Sequence, residues 1–319
     1  MRVVFWGTRG SLPVALSAAA VREKIEVALI RAHGRDLSSP TAARAFVEQE
    51  LSFAEGATFG GNTACVQVDL GGPEHLFCDF GSGSRELAVQ MLARHGPRAP
   101  QTYHVLMSHV HWDHIMGFPF FTPAYIPGNR IRIYGCHAEL EHAFRRQSAA
   151  PSFPVDFSAL RGTIEFVTLT PEQPHAIAGA TVTAMLQHHE GDSYGYRIET
   201  DGKAVVYATD SEHRLDQPAS LERVVAFFKD ADLVVFDAMY SLADAVSVKE
   251  DWGHSSNVVG LELCQLARAH HLVLFHHEPV FDDHRIHQIW QETVRLEEIT
   301  RQAHPVKVST AYDGLVIDI

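Results

Sequence analysis

The sequence predicts an α/β protein in which mixed β-sheets are covered by helices, and three observations lead there. Short apolar runs recur along all 319 residues and alternate with stretches of helical periodicity. Several of the runs follow one another at hairpin distance, so the sheets are mixed rather than purely parallel. Histidine and aspartate clusters stand where the apolar runs end, as in sheets that carry their chemistry at a rim.

Val3–Trp6 reads as a buried strand ending in the turn Gly7-Thr8-Arg9-Gly10. Val14 to Glu55 has helical periodicity, with one apolar face at Val21, Ile25, Ala28 and Leu29 and another at Phe46, Val47 and Leu51. Bearing no motif, it reads as a helical insertion at about 14–55. Strands follow at Thr63–Leu70 and Leu76–Asp79, then a turn at Gly81-Ser82-Gly83-Ser84, a helix at Arg85–Arg94 and a strand at Tyr103–Met107. Further strands are expected at Ile131–Tyr134, Ile164–Thr168, Thr181–Gln187, Tyr194–Glu199, Ala204–Ala208, Leu233–Phe236, Leu272–Phe275 and Leu315–Ile317. Helices are expected at Ala219–Phe228, Ser256–His270 and Arg285–Arg301. No linker or low-complexity run divides the chain, so residues 1–319 read as one domain.

Charge narrows the function. The formal net charge of -13 repels polyanions and leaves no basic stripe for a large nucleic acid. A small anionic substrate stays open, because a bound metal inverts the local field. The four cysteines (Cys65, Cys78, Cys136, Cys264) lie far apart with no CxxC pair and read as buried small hydrophobes or free thiols. No leader-like or membrane-spanning stretch is read, so the expected location is cytoplasmic, with no membrane partner.

The strongest signal is Ser108-His109-Val110-His111-Trp112-Asp113-His114, directly after a predicted strand. Neutral imidazoles and a carboxylate are ordinary ligands of zinc and similar metals, and this density can serve two ions. A solvated histidine-rich loop is the plain alternative in a chain with 21 histidines, but the HxHxDH spacing at a strand end is far more specific. Three further strand ends could complete a site: His188-His189, Asp210, and His276-His277. Singly, each could be a cap or a satisfied core residue; it is the repeated order of strand, ligand and turn that unites them.

HxHxDH followed by histidine, aspartate and histidine in that order resembles the metallo-β-lactamase superfamily over essentially the whole chain outside the insertion. The resemblance implies an αββα sandwich of two mixed sheets flanked by helices, with two divalent metal ions at the rim. Carried over, His109, His111 and His189 would bind the first ion, Asp113, His114 and His276 the second, and Asp210 would bridge them. His189 is preferred to His188 for its spacing to Gly195-Tyr196, and His276 to His277 for the match of Leu-Phe-His. His111 stands where the redox branch carries a carboxylate, which implies hydrolysis. Zinc is the first expectation for the metal, with manganese or iron as alternatives.

Trp252-Gly253-His254-Ser255-Ser256 resembles the His-x-Ser/Thr motif of the phosphodiesterase branch, which includes ribonuclease Z and small cyclic-phosphate phosphodiesterases. The resemblance makes His254 a donor to the phosphate or leaving oxygen and Asp237 its acidic partner, so the catalytic set is Asp113, His254 and Asp237. The plain alternative is that His254 merely precedes a helix capped by Ser255 or Ser256. With no basic arm for transfer RNA, the expected reaction is hydrolysis of a small phosphodiester, such as a cyclic nucleotide or cyclic phosphate, by a metal-bridging hydroxide. A carboxylic ester, lactone or thioester hydrolase would use the same ligands, and a metal-dependent sensor would keep them without turnover. Arg9, Arg197 and Arg214 are candidates to hold a phosphate. The aromatic stretch Phe118–Pro127 could stack on a base, or pack as core against the insertion's helices, the reading favoured here. Asp79, beside the Gly81-Ser82-Gly83 turn, reads as structural. The insertion's apolar faces suggest a homodimer.

Overall fold

The computed structural model describes residues 1–213, 217–240, 253–301 and 303–319. Among the described residues fourteen strands form two sheets of seven. The first sheet runs β14 (Val316–Asp318), β1 (Arg2–Gly7), β2 (Cys65–Asp69), β3 (His75–Cys78), β4 (Thr102–Leu106), β5 (Arg130–Gly135) and β6 (Thr163–Thr168). The second runs β13 (Lys307–Thr310), β12 (His271–Phe275), β11 (Leu233–Asp237), β10 (Lys203–Ala208), β9 (Ser193–Thr200), β8 (Ala180–Gln187) and β7 (Pro174–Ile177). Each sheet is half antiparallel and half parallel: β3 to β6 are parallel in one, and β10 to β13 in the other.

The layers follow from which strand faces are apolar. Strands buried on both faces read as continuous apolar runs, as in Leu233-Val234-Val235-Phe236, where all four residues are fully buried. Inner faces meet between the sheets through Phe5, Val68, Tyr196, Tyr207, Val235 and Phe275. Phe275 lies with its ring centroid 6.1 Å from Phe5 and 5.8 Å from Tyr207, and truncating such a side chain costs about 3–5 kcal/mol. The outer face of the first sheet is covered by α4 (Ser84–His95), α5 (Trp112–Ile115) and α6 (Leu140–Gln147) with the Phe118–Tyr125 segment. The outer face of the second is covered by α7 (Pro218–Phe228), α8 (Asn257–Ala267) and α9 (Asp283–Thr300). Helix, sheet, sheet and helix therefore stack as an αββα sandwich, as expected.

The 14–55 segment holds α1 (Ala18–Arg31), α2 (Pro40–Glu50) and α3 (Phe53–Gly56). Ser17 and Ser39 cap the first two, and Ser52 with Glu55 forms a capping box on the third. Its two apolar faces fare differently. Phe46 and Leu51 are buried and Val47 is exposed, whereas α1 buries no residue and leaves Ile25 54% and Leu29 68% exposed. Phe118 and Phe121 of the aromatic stretch are core, though not against these helices, while Phe120 is exposed: Phe121 packs on Phe77, Phe80 and Tyr103, and Phe118 on Phe80 and Phe144.

Strand direction places the site. β8 and β10 are both antiparallel to β9, so they point the same way, and β11 and β12 run parallel to β10. The C-terminal ends of β8, β10, β11 and β12 therefore share one edge of the second sheet, and the loop after β4 reaches that edge from the first. Among the described residues no helix is long and apolar enough to cross a membrane.

Candidate metal centre

Residues 107–114 leave β4 and turn at once into α5. His111 is the N-cap of that single turn, so Asp113 and His114 point back into the protein while His109 and His111 stand on the strand side. Across the cleft, His189 follows β8, Asp210 follows β10 and His276 follows β12. His109, His111 and His189 form one group whose nitrogens lie within 4.8 Å of one another, and Asp113, His114, Asp210 and His276 form a second.

Asp210 joins the groups through its two oxygens. Its Oδ1 lies 3.2 Å from Nε2 of His114 and 3.2 Å from Nε2 of His276. Its Oδ2 lies 3.7 Å from Nε2 of His109 and 3.8 Å from Nε2 of His189. Asp113 Oδ2 stands 3.3 Å from His114 Nε2 and 3.5 Å from His276 Nε2. Yet Nε2 of His109, His114 and His276 is buried without a hydrogen-bond partner. Buried polar atoms are normally paired, and converging imidazole and carboxylate atoms left orphaned fit a cation of their own chemistry. The donor set therefore suits two divalent ions.

The electrostatics agree. Burial, reinforced by neighbouring imidazoles, lowers the pKa of His109 well below the ordinary value, and burial with the His189 charge lowers that of His111. Burial likewise lowers His189. These rings favour the neutral form that ligates metal. His114 goes the other way: burial opposes its charge, but Asp210, Asp113 and Asp79 around it raise its pKa well above the usual range. This pocket is built to hold positive charge.

The outward nitrogens are tied down, as ligand orientation requires. His114 Nδ1 donates to Asp79 Oδ2 at 2.8 Å, and His189 Nδ1 to the Gly253 carbonyl at 2.8 Å. Gly253, at φ +78°, has no room for a side chain, since a Cβ there would stand 2.5 Å from His189 Nδ1. Asp79 is fully buried and accepts from Ser108 N, Ser108 Oγ and Tyr207 OH as well. Asp79, Asp210 and His276 all have positive φ (+62°, +44° and +61°), backbone strain of the kind that collects at functional sites.

Beside the second group, His254 donates from Nδ1 to Asp237 Oδ2 at 2.8 Å. Asp237 is itself oriented by the backbone N–H of Ser211 and of Met239. The His254 ring stacks on His276, centroids 5.2 Å apart, and meets His189 edge-on at 5.1 Å. Burial opposes its charge, but the Asp237 carboxylate and hydrogen bond outweigh that and raise its pKa to about 9. The helix cap is a separate residue: Ser256 caps α8 and Ser255 Oγ donates to the Ser211 carbonyl.

All the proposed ligands thus come together, as do Asp237 and His254. His188 is exposed at the surface, and His277 is buried with its Nε2 on the Ala311 carbonyl, so neither joins the cluster. Two of the phosphate candidates are corrected. Arg9 is spent on the carbonyls of Gly60, Glu278 and Phe281. Arg197 binds the carbonyls of Phe227 and Lys229 and pairs with Glu199. Each holds backbone together rather than facing the site. Arg214 and Trp252 lie outside the described residues. Sequence reasoning missed Asp79's four donors and the Ser11 N–H that donates to Asp113 Oδ2 at 2.9 Å. The one available signal was the position of Asp79 at a strand end.

Residues 77–277 match the profile described as the beta-lactamase superfamily domain, and the chain belongs to that superfamily, with the metallo-β-lactamase fold. Its members are mostly metal-dependent hydrolases. No curated protein is matched. Among solved structures the chain resembles the metallo-β-lactamase fold protein YhfI from Bacillus subtilis, at 18% identity and TM-score 0.64, over 99% of this chain and 98% of that one. It also resembles a diphosphatase from the PhnP family, at 18% identity and TM-score 0.61, over 100% and 97%. Human tRNase Z, short form, is similar at 19% identity and TM-score 0.58, over 100% and 99%. At such identities the likeness is one of fold.

Proposed function

We propose that the protein is a dinuclear metal-dependent phosphodiesterase acting on a small phosphodiester, such as a cyclic nucleotide or cyclic phosphate. The observation that carries this reading is the His254–Asp237 pair standing beside the metal cluster. His109, His111 and His189 would hold one ion and Asp113, His114 and His276 the other, with Asp210 between them. Bound divalent cations supply Lewis acidity to a phosphoryl oxygen and make water acidic enough to act as a nucleophile at neutral pH.

The chain's own groups do the rest. Asp237 takes the Nδ1 proton of His254 in a hydrogen bond, which fixes the ring and leaves Nε2 as its second donor. From there the imidazolium stabilises charge on a phosphoryl oxygen or gives its proton to the leaving oxygen. A phosphodiester gathers more negative charge on oxygen in its transition state than an ester or lactone does, so this donor favours the phosphorus substrate. The overall charge of -13 and the absence of a basic arm support a small substrate over a large RNA. Zinc suits the histidine-rich donor set, and manganese or iron(II) would also be accepted. One neighbour in fold is called a diphosphatase and another a tRNase, which agrees with phosphorus chemistry on this scaffold.

The test is hydrolysis of bis-p-nitrophenyl phosphate beside p-nitrophenyl acetate and a lactone by zinc- or manganese-loaded protein, wild type and His254→Ala. Diester turnover that collapses in the variant is expected. Ester or lactone turnover that ignores the substitution would sink the phosphodiesterase reading, and no turnover at full metal occupancy would favour a sensor.

A further inference from the structure

The metal loop has two sides, and the centre uses one. His109 and His111 face the cluster, while the intervening Val110 and the following Trp112 line a cleft on the other side, between α5, α6 and the residues near Phe153. The cleft measures ≈ 900 Å³, within the range of about 300–1,000 Å³ usual for small-molecule sites.

Its walls are flat aromatic rings kept in water. Trp112 is 66% exposed and Phe120 59%, although the rest of the Phe118–Tyr125 segment packs largely as core. Phe153 meets Phe120 edge-on, centroids 5.6 Å apart, and steadies its ring. Arg146, in the last turn of α6, lines the same cleft. Its guanidinium has no ion pair or hydrogen bond among the described residues, whereas its neighbour Arg145 pairs with Glu141 and lies over Phe157. On a molecule of net charge -13, an uncommitted guanidinium suits a ligand that carries negative charge. Glu139 and His142 on the rim offer hydrogen-bonding groups to a polar ring edge.

We propose that this cleft receives the nucleobase of a nucleotide substrate, stacked on Trp112 and Phe120, with Arg146 drawing in the charged ligand. A base fits because every base presents a π-face to an aromatic wall. The proposal rests on the reading that the substrate is a phosphodiester, and Trp112 ties the two sites together by lying within the metal motif itself.

Calorimetry on the metal-loaded protein, with adenosine 5′-monophosphate and ribose 5-phosphate as probes, tests it without requiring turnover. Wild type binds the base-bearing probe more tightly. Trp112→Ala lowers affinity for adenosine monophosphate about 5- to 100-fold, with a much smaller loss for ribose 5-phosphate, and Trp112→Phe keeps most of the preference. Arg146→Ala weakens both probes. Equal affinity of the wild type for the two probes, or parallel losses in Trp112→Ala at an unchanged melting temperature, overturns the proposal. Diester hydrolysis without base preference would remove the cleft and leave the phosphodiesterase. A Trp112-dependent base preference in a protein that cleaves no diester would keep the cleft and remove the hydrolytic reading.

Discussion

The two sheets contribute to the metal centre in opposite ways. The first delivers His109, His111, Asp113 and His114 in a single loop, whose spacing local geometry alone makes productive. The second delivers His189, Asp210, Asp237 and His276 from the ends of four strands, and these meet only because β8, β10, β11 and β12 point toward one edge. Half of the centre is thus a motif and half is topology. Asp210 is where they join, one oxygen toward His109 and His189 and the other toward His114 and His276.

The sharpest way to break that joint is Asp210→Ala. Substituting even the outer partners of metal ligands costs about 10–100-fold in affinity or activity, so loss of a shared carboxylate is expected to lower diester turnover by more than about 100-fold, with loss of bound metal. Activity and metal content unchanged within error would show that the halves do not meet there. Next comes the pair beside the centre. His254→Ala should lower kcat on diesters by about 10²–10³-fold while metal content is retained. On the reading that Asp237 acts through His254, Asp237→Asn combined with His254→Ala should cost little more than His254→Ala alone. Additive losses would separate the two residues.

A smaller effect is expected at Asp79, which is fully buried and holds His114 by its Nδ1. Asp79→Asn should weaken metal binding about 10–100-fold in a chelator competition; unchanged affinity would reduce Asp79 to a core hydrogen-bond acceptor.

The same division explains what was legible in the sequence. The strands of the core show plainly as apolar runs, and the α4, α7, α8 and α9 helices by their apolar periodicity. β7, β13 and α6 did not, because each is short: four residues in either strand and eight in the helix. The HxHxDH loop was readable on its own terms, whereas His189, Asp210 and His276 were readable only as an ordered series. Asp79 showed only as a structural residue at a strand end, because its partner Tyr207 is 128 residues away. Arg9 and Arg197 misled for a complementary reason, since a sequence shows a guanidinium but not the backbone carbonyls that consume it. The α1 stripe at Ile25 and Leu29 has the periodicity of a buried face and yet lies in solvent; periodicity indicates a face and does not say what covers it.

A predicted effect outside the centre contrasts the two ends of β12. His276 at one end belongs to the centre, while His271 at the other donates or accepts at Ser309 Oγ, 2.9 Å away, far from it in the chain's register. Burial, with the charge of Lys307, pushes the His271 pKa down to about 4. Its folded value lies below the ordinary one near 6.5, so between those values the unfolded chain binds more protons. Stability is therefore whole above about pH 6.5 and falls toward pH 4, by up to about 1.4 kcal/mol per pH unit for such a group. Chemical denaturation of metal-free protein across this window should show a shallower slope for His271→Gln than for wild type. Equal slopes would mean that His271 is not held neutral by the fold.

The measurement that bears most directly on a centre shared by both sheets is the metal content of the purified, reconstituted wild-type protein, determined by plasma mass spectrometry after removal of loosely bound ions. Two divalent ions per chain are expected. A single ion per chain, or none retained, would contradict the account.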